Sequence, residues 1–472
     1  TLPDIYNQEE YDCKTDSPNG VIYSLPDNSE NNFNDPWLIF RPLDKYEFQT
    51  KYGKLNSIKG IESEQVLAIF DKTTAIFGAF DQLVDDGRRP ETRQTGLGGM
   101  FAQRPRIFTD TSLGYAGSQH FPILSCEYGH FFVDSERGQV FKVETNGKGL
   151  QEISAQSNGE PSGMRNWFKE YLPFRIRKYF PNIDIDNPYN GFGITMGYDS
   201  RYKRIFITKK DFIPQDKNLF EEIDGVLYIQ DERTKQQRKA IEADLINVSW
   251  TISYNLDTAK WASFFDFKPN YYIDHNNYFQ TGKNTEDETF GLWSHLLTNK
   301  SFQVFYGKPY PWEIEVPVQN KGTNQVLESV SYRLDSRRYS NDYDFIQNKK
   351  IGFEEAYIYN SSNHSGLLKL DWQKTLRDLS KYPKTEGNKQ RILQTQQDGI
   401  SRFNYFYNRI KKESSQLPLF KNNKNGVDKQ SNNNVLSFYG KRVLERLRGN
   451  AFLINLKSYE TQHKKIFELA QF

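Results

Sequence analysis

The sequence predicts an all-β protein with few short helices, in which β-propeller-like hairpin repeats precede a C-terminal β-rich domain. Three observations predict it. Apolar residues alternate with a period of two, polar turns led by Asp or Asn join the alternating segments, and aromatic rings dominate the apolar set. The 472 residues include 35 Phe, 29 Tyr and 7 Trp, so 15% of the chain is aromatic. The apolar share is 36% with tyrosine counted, and exchanging Tyr for Gly leaves it below the roughly 45–50% of ordinary soluble domains. Large rings bury much area each and make up part of the deficit.

Five hairpins follow in order. The first is 66–70, turn 71–74, then 75–80, and the second is 130–133, turn 134–138, then 139–143. The third is 192–198, turn 199–203, then 204–208, and the fourth is 250–254, turn 255–260, then 261–267. A looser fifth reads 292–297, turn 298–300, then 301–307. In each turn an Asp or Asn side chain is suited to accept from backbone N–H groups a residue or two onward. The turns at 71, 134, 199 and 255 lie roughly 55–65 residues apart, the kind of period that radial β repetition produces. A run of unrelated meanders in a β-sandwich is the alternative.

Helical segments are few. Residues 163–172, ahead of Pro173, read as a short helix; 234–245 reads as a helical insertion or, better, a solvated charged arm. In 370–379 a helical spacing would align Trp372, Leu376 and Leu379 and end before Pro383. Asn-rich stretches 28–35 and 421–434 read as exposed loops. The hairpin series stops near residue 335, which gives a propeller-like region over 1–335 and a C-terminal domain over 336–472.

Charge excludes some functions. With 62 basic and 60 acidic residues the net charge is +2, too near neutral for a nucleic-acid grip built on overall basicity. No apolar run approaches the roughly 18–20 residues that cross a bilayer as a helix. The start at Thr1 shows neither a basic nor an apolar leader segment, and the expectation is a processed chain or one piece of a longer product. Two cysteines, Cys13 and Cys126, make no disulfide framework, so packing carries the fold; a single bridge between them stays open.

Candidate chemical sites are sparse. Cys126 and His130 are four apart, but structural zinc needs four ligands and a nucleophile pair needs an orienting third group. Were the segment one strand, both would point to one side, and a small buried thiol beside a partly exposed ring is the preferred reading. Residues 184–191 resemble a calcium loop but carry Pro188 at the fifth position and Thr195 at the twelfth, so a plain Asn-Pro turn is preferred. The turn 134–138 resembles the Asp-rich turns of sialidase-type propellers. Glycan hydrolysis needs paired carboxylates, or a tyrosine and a carboxylate, and no pair stands out among 60 acidic residues. Gly96, Gly98 and Gly99 lack the lysine of a phosphate loop and stand near Arg88, Arg89, Arg93, Arg104 and Arg106, a mobile contact arm by composition. Lys441, Arg442, Arg446 and Arg448, interleaved with Leu and Glu445, read as a solvated face or subunit contact.

The ordered series resembles the tail nozzle, muzzle or stabilisation proteins of short-tailed, crAss-like bacteriophages. The resemblance rests on 197–199 with 204–208, 250–255 with 260–264, 269–279 with its Asn276-Asn277 pair, 292–295 with 305–307, and 313–316. Residues 356–360, 365–370 and 446–449 extend it, so it covers roughly 190–460. It implies a virion structural subunit of the phage tail: a homo-oligomeric ring, sixfold as the expected order, around the channel through which DNA is ejected. The implied partners are sister copies, neighbouring adaptor and ring proteins, tail fibres and DNA in transit. It implies no enzyme activity, no catalytic or metal residues and no cofactor. The alternatives are a glycan-binding or glycan-hydrolysing propeller on a phage fibre or cell surface, and a secreted interaction scaffold.

Overall fold

A computed structural model describes residues 17–471 apart from 25–37, 62–64, 79–80, 85–92, 98–99, 102–103, 109–122, 146, 148, 158–159, 162, 189–190, 231–236, 285–289, 296–301, 320–323, 340–344, 348–350, 376–383, 387–388 and 409–445. The protein is mainly β, with 56% strand and one α-helix among the described residues. It divides into two compact units, Thr1–Leu297 and Thr298–Phe472.

In the first unit β1 (Gly20–Ile22) pairs with β2 (Lys45–Glu47). The strands β3 (Leu55–Ile61), β4 (Gln65–Phe70) and β5 (Thr74–Gly78) form an antiparallel sheet. After the hairpin β6 (Asp81–Val84) and β7 (Arg93–Leu97), β8 (Arg106–Ile107) completes that sheet. The next sheet is β9 (Ile123–Cys126), β10 (Gly129–Asp134), β11 (Gln139–Val143) and β12 (Leu150–Glu152), followed by the small pair β13 (Gln156–Ser157) and β14 (Glu160–Pro161). Helix α1 (Arg165–Tyr171) matches the expected 163–172 segment and buries Phe168.

The third and fourth hairpins are β15 (Gly193–Asp199) with β16 (Arg204–Lys210) and, later, β22 with β23. Between them lies an excursion: β17 (Phe212–Pro214), β18 (Phe220–Ile223), β19 (Val226–Gln230), β20 (Gln237–Lys239) and β21 (Leu245–Asn247). Strand β20 is exposed throughout and Arg238 grips Asp244 with two bonds of 2.8 and 2.7 Å, so this charged segment is a solvated arm and not an α-helix. Strands β22 (Trp250–Asn255) and β23 (Lys260–Phe265) return to β16. A three-stranded sheet, β24 (Tyr271–Asp274), β25 (Phe279–Asn284) and β26 (Phe290–His295), ends the unit.

Four of the five expected hairpins form, close to the expected strand and turn bounds. The fifth does not: β26 pairs with β25, while β27 (Val304–Phe305) pairs with β28 (Lys308–Pro309). No propeller is seen among the described residues. The third and fourth hairpins, read as successive repeats, share one sheet in the order β15-β16-β22-β23, so the hairpin period is not a blade period. Central β16 is buried on both faces. Ile205 and Ile207 join a core with Phe131, Phe168 and Ile252, while Phe206 on the other face meets Phe265, Tyr272 and Phe279.

The second unit is one curled, half-barrel sheet of ten strands. It contains β29 (Trp312–Gln319), β31 (Ser329–Tyr339), β32 (Phe345–Gln347), β33 (Glu355–Tyr359), β34 (His364–Trp372), β35 (Lys384–Glu386), β36 (Lys389–Gln397), β37 (Ile400–Asn404), β39 (Ala451–Ser458) and β40 (His463–Gln471). The short β30 (Gln325–Val326) pairs with β38 (Arg448–Gly449) outside it. The curl brings Trp312 of β29 and Phe467 of β40 onto one ring, Phe353, at 5.5 and 5.8 Å. The boundary read at residue 335 falls inside β31, because β29 and β31 pair with β39 and β40 from the far end of the chain. Residues 370–372 are strand, not helix: Leu368 and Leu370 are buried at alternate positions and β34 runs parallel to β36. The remainder of that expected helix, with Leu376 and Leu379, lies outside the described residues, as do the Asn-rich stretches 28–35 and 421–434.

Candidate functional site

The turn residues singled out by sequence serve the fold. Asp134, fully buried, accepts from the N–H groups of Glu136 (3.1 Å) and Arg137 (3.0 Å) and from the Arg137 guanidinium (2.6 Å). Asp199 accepts from Tyr202 N–H at 3.3 Å and Arg204 Nε at 2.8 Å, and Asn255 accepts from Thr258 N–H at 2.8 Å. Asp71 departs from this pattern, accepting instead from Lys54 N–H and Asn56 Nδ2, both at 2.8 Å. Carboxylates committed to backbone donors and arginines hold turns.

Cys126 and His130 do not share a strand, because the chain turns between β9 and β10 and pairs Gly129 with Cys126. The exposures reverse the expectation: the thiol is half-buried and the imidazole buried, with Nδ1 2.8 Å from Ser125 Oγ. Burial raises the thiol pKa, which keeps it a thiol. Cys13 lies outside the described residues. Asp184 accepts from Asp186 N–H at 2.9 Å and Asn187 N–H donates to Phe192 O at 2.8 Å, which is a turn leading into β15. Gly98, Gly99, Arg88, Arg89, Lys441 and Arg442 lie outside the described residues, and Arg93 and Gly96 are strand β7. The Arg106 guanidinium stacks on Phe108 at 5.1 Å. Of the basic 441–448 segment, Leu447 is fully buried and Arg448 is exposed at the start of β38. Among the described residues no group of three or more His, Cys, Asp or Glu is placed to hold a metal ion.

The structure instead assembles a groove of mixed polar and apolar lining in the second unit, of about 590 Å³, where the ends of β29, β33, β38 and β39 meet the turn between β33 and β34. That turn builds itself. Asn360 Oδ1 accepts from Ser362 N–H (2.9 Å) and Asn363 N–H (2.7 Å). The two amide groups then clamp the Arg448 carbonyl, Asn360 Nδ2 at 3.0 Å and Asn363 Nδ2 at 2.8 Å, while Asn408 Nδ2 braces Asn363 Oδ1 at 2.7 Å. Glycine at 449 is required, since a Cβ there would clash with the Asn360 amide.

Besides lining the groove, β29, β33 and β39 also carry paired tyrosines and carboxylates. Tyr359 Oη donates to Glu315 Oε2 at 3.3 Å and Tyr459 Oη to Glu355 Oε2 at 2.8 Å. Glu313 takes Asn455 Nδ2 and Lys457 Nζ, the latter at 2.9 Å. The bond to Glu355, with burial and further carboxylates, pushes the Tyr459 phenol up to about 12, so it stays a protonated donor. Burial raises Glu354, whose carboxylate accepts from Tyr459 N–H. A tyrosine and carboxylates thus stand together, as glycan hydrolysis would require, but each carboxylate already has a partner, which makes this a preset hydrogen-bonding surface. In the sequence 356–360 and 446–449 stand only as segments of the resemblance, and 441–448 as a solvated face or subunit contact. The signal of a site was the Asn-Ser-Ser-Asn turn after alternating tyrosines, and its convergence on Arg448 across 85 residues needed the fold.

One further surface feature stands out in the first unit. Arg41–Asp44 is a β-turn, closed by Asp44 N–H to Arg41 O at 2.9 Å and by Arg41 Nε to Asp44 Oδ2 at 2.9 Å. It presents Leu43 at 91% exposure, next to Leu38, Ile39 and Phe40 and beside Ile22, all exposed.

No family model matches the chain, and no curated protein matches it.

Proposed function

We propose that this chain is a structural subunit of a short-tailed phage tail, a nozzle or muzzle component that closes into a ring around the DNA ejection channel and scaffolds and gates genome delivery. The observation that carries the reading is the apolar turn with Leu43 91% exposed: five exposed large apolar side chains gathered at Ile22 and 38–43 mark a surface that another protein covers. Heterologous contact between copies, each inserting such a projection into the next, is how rings close. Abundant Tyr, Phe and Arg suit such interfaces, and a net charge of +2 suits a wall that DNA must pass without sticking. The radial closure expected of the hairpins within one chain belongs, in this reading, to copies arranged around the channel.

The test is particle size. Mass photometry and negative-stain imaging of the purified chain are expected to show closed rings, sixfold or of related symmetry. Leu43→Asp with Phe40→Asp should leave the melting temperature unchanged and return monomers. A strictly monomeric wild type at virion-like concentration overturns the reading, as does absence of the chain from purified particles by mass spectrometry. The rival, a glycan-binding or glycan-hydrolysing protein of a phage fibre or cell surface, would show specific sugar binding or hydrolysis without rings.

A further inference from the structure

The groove belongs to the second unit, and its chemistry points to a ligand. The geometry points to a binding site for an oligosaccharide that carries a carboxylate, a uronic acid-type chain. Its volume of about 590 Å³ is in the range of small-ligand sites, roughly 300–1,000 Å³. Arg448 is the one charged residue among those lining it; its side chain is exposed and makes no ion pair with the described residues. Its backbone carbonyl, by contrast, is held by two asparagine amides, so the side chain starts from a fixed backbone. A planar fork on a rigid base matches a carboxylate with two parallel bonds.

The other open groups define the rest of the ligand. Gln319, Asn324 and Asn450 are exposed at the rim, and each amide offers both a donor and an acceptor. A bare anion accepts only and would leave the amide oxygens idle. Sugar hydroxyls donate and accept, and use both ends. Tyr359, held by its bond to Glu315, supplies an aromatic wall beside buried Phe452, against which the C–H face of a sugar ring can lie. Guanidinium, three amides and a fixed ring together select a polyhydroxylated acid.

Titration of the full chain with tetragalacturonate, followed by saturation-transfer NMR and calorimetry, tests this. Wild type is expected to bind it at least tenfold more tightly than a neutral tetrasaccharide. Arg448→Met is expected to weaken the acidic ligand about tenfold or more, the scale of a charged hydrogen bond, with Arg448→Lys in between and the neutral sugar unaffected. Should Arg448→Met melt earlier than wild type, Asn450→Ala and Gln319→Ala, both at exposed positions, carry the same test with smaller losses. No binding of tetragalacturonate overturns the inference, as does equal affinity for the neutral sugar, inorganic phosphate or hexaglutamate. Ring formation is read separately by particle size, so the two proposals fail independently.

Discussion

Replacing Lys209 by methionine tests how the helix is fastened to the central sheet. Lys209 is 1% exposed, and its ammonium donates to the carbonyls of Tyr171 (2.9 Å) and Pro173 (2.8 Å) and to Asp211 Oδ2 (2.6 Å). All three protons are used. Tyr171 is the last residue of α1 and Pro173 lies two residues beyond it, so the ammonium sits at the C-terminal end of the helix, where backbone acceptors lack helical partners and a cation is favoured. Asp211, fully buried, also accepts from Arg175 N–H at 2.9 Å. Burial lowers the lysine pKa and Asp211 opposes that shift. Methionine fills similar space but leaves a buried carboxylate without its cation, a loss of about 3–5 kcal/mol. Tyr171 O keeps the Trp250 indole donor at 3.2 Å, so the cost falls mainly on Asp211 and Pro173. Adding Asp211→Asn removes the stranded charge and keeps an acceptor for Arg175, so the double variant should regain at least about 1 kcal/mol. Denaturant unfolding followed by tryptophan fluorescence gives all corners of the cycle. A single-variant cost under about 1 kcal/mol, or a double-variant cost equal to the sum of the singles, refutes the reasoning.

Other expectations follow from the same physics. Burial lowers the His295 pKa from 6.5 to about 4, its ring stacked on Phe279 at 4.5 Å and its Nε2 2.8 Å from Thr281 Oγ1. Because the folded value is depressed, its contribution is present above pH 6.5 and lost as pH falls toward 4, about 3 kcal/mol in all at roughly 1.36 kcal/mol per pH unit. His295→Gln should flatten the urea midpoint between pH 7 and 4.5, and parallel curves would refute this. Gly197→Ala places a Cβ 2.5 Å from Cδ1 of Tyr272, and the overpacking is expected to cost about 1–3 kcal/mol by thermal or urea unfolding; an unchanged midpoint would mean the β15–β24 approach is wrong. Asp134→Ala, which strands two backbone donors and Arg137, should cost about 2–3 kcal/mol, against under about 1 kcal/mol for half-buried Asn255→Ala. Equal losses in the two variants would show that burial of the turn carboxylate does not matter.

The sequence by itself determined the local elements. Alternation around Asp71, Asp134, Asp199 and Asn255 set four hairpins, because side-chain period and turn chemistry act within a few residues. The helix before Pro173 was legible for the same reason. Only the tertiary structure decided which hairpins share a sheet, that Trp372 ends a strand, and that β29 and β31 pair with β39 and β40, since long-range pairing depends on which edges and apolar faces meet and leaves no periodic mark. The groove belongs to this second class. In sequence Arg448 is part of a basic stretch and Asn360 and Asn363 are assigned to no site; only the fold brings one backbone carbonyl, 85 positions from Asn363, between the two amides.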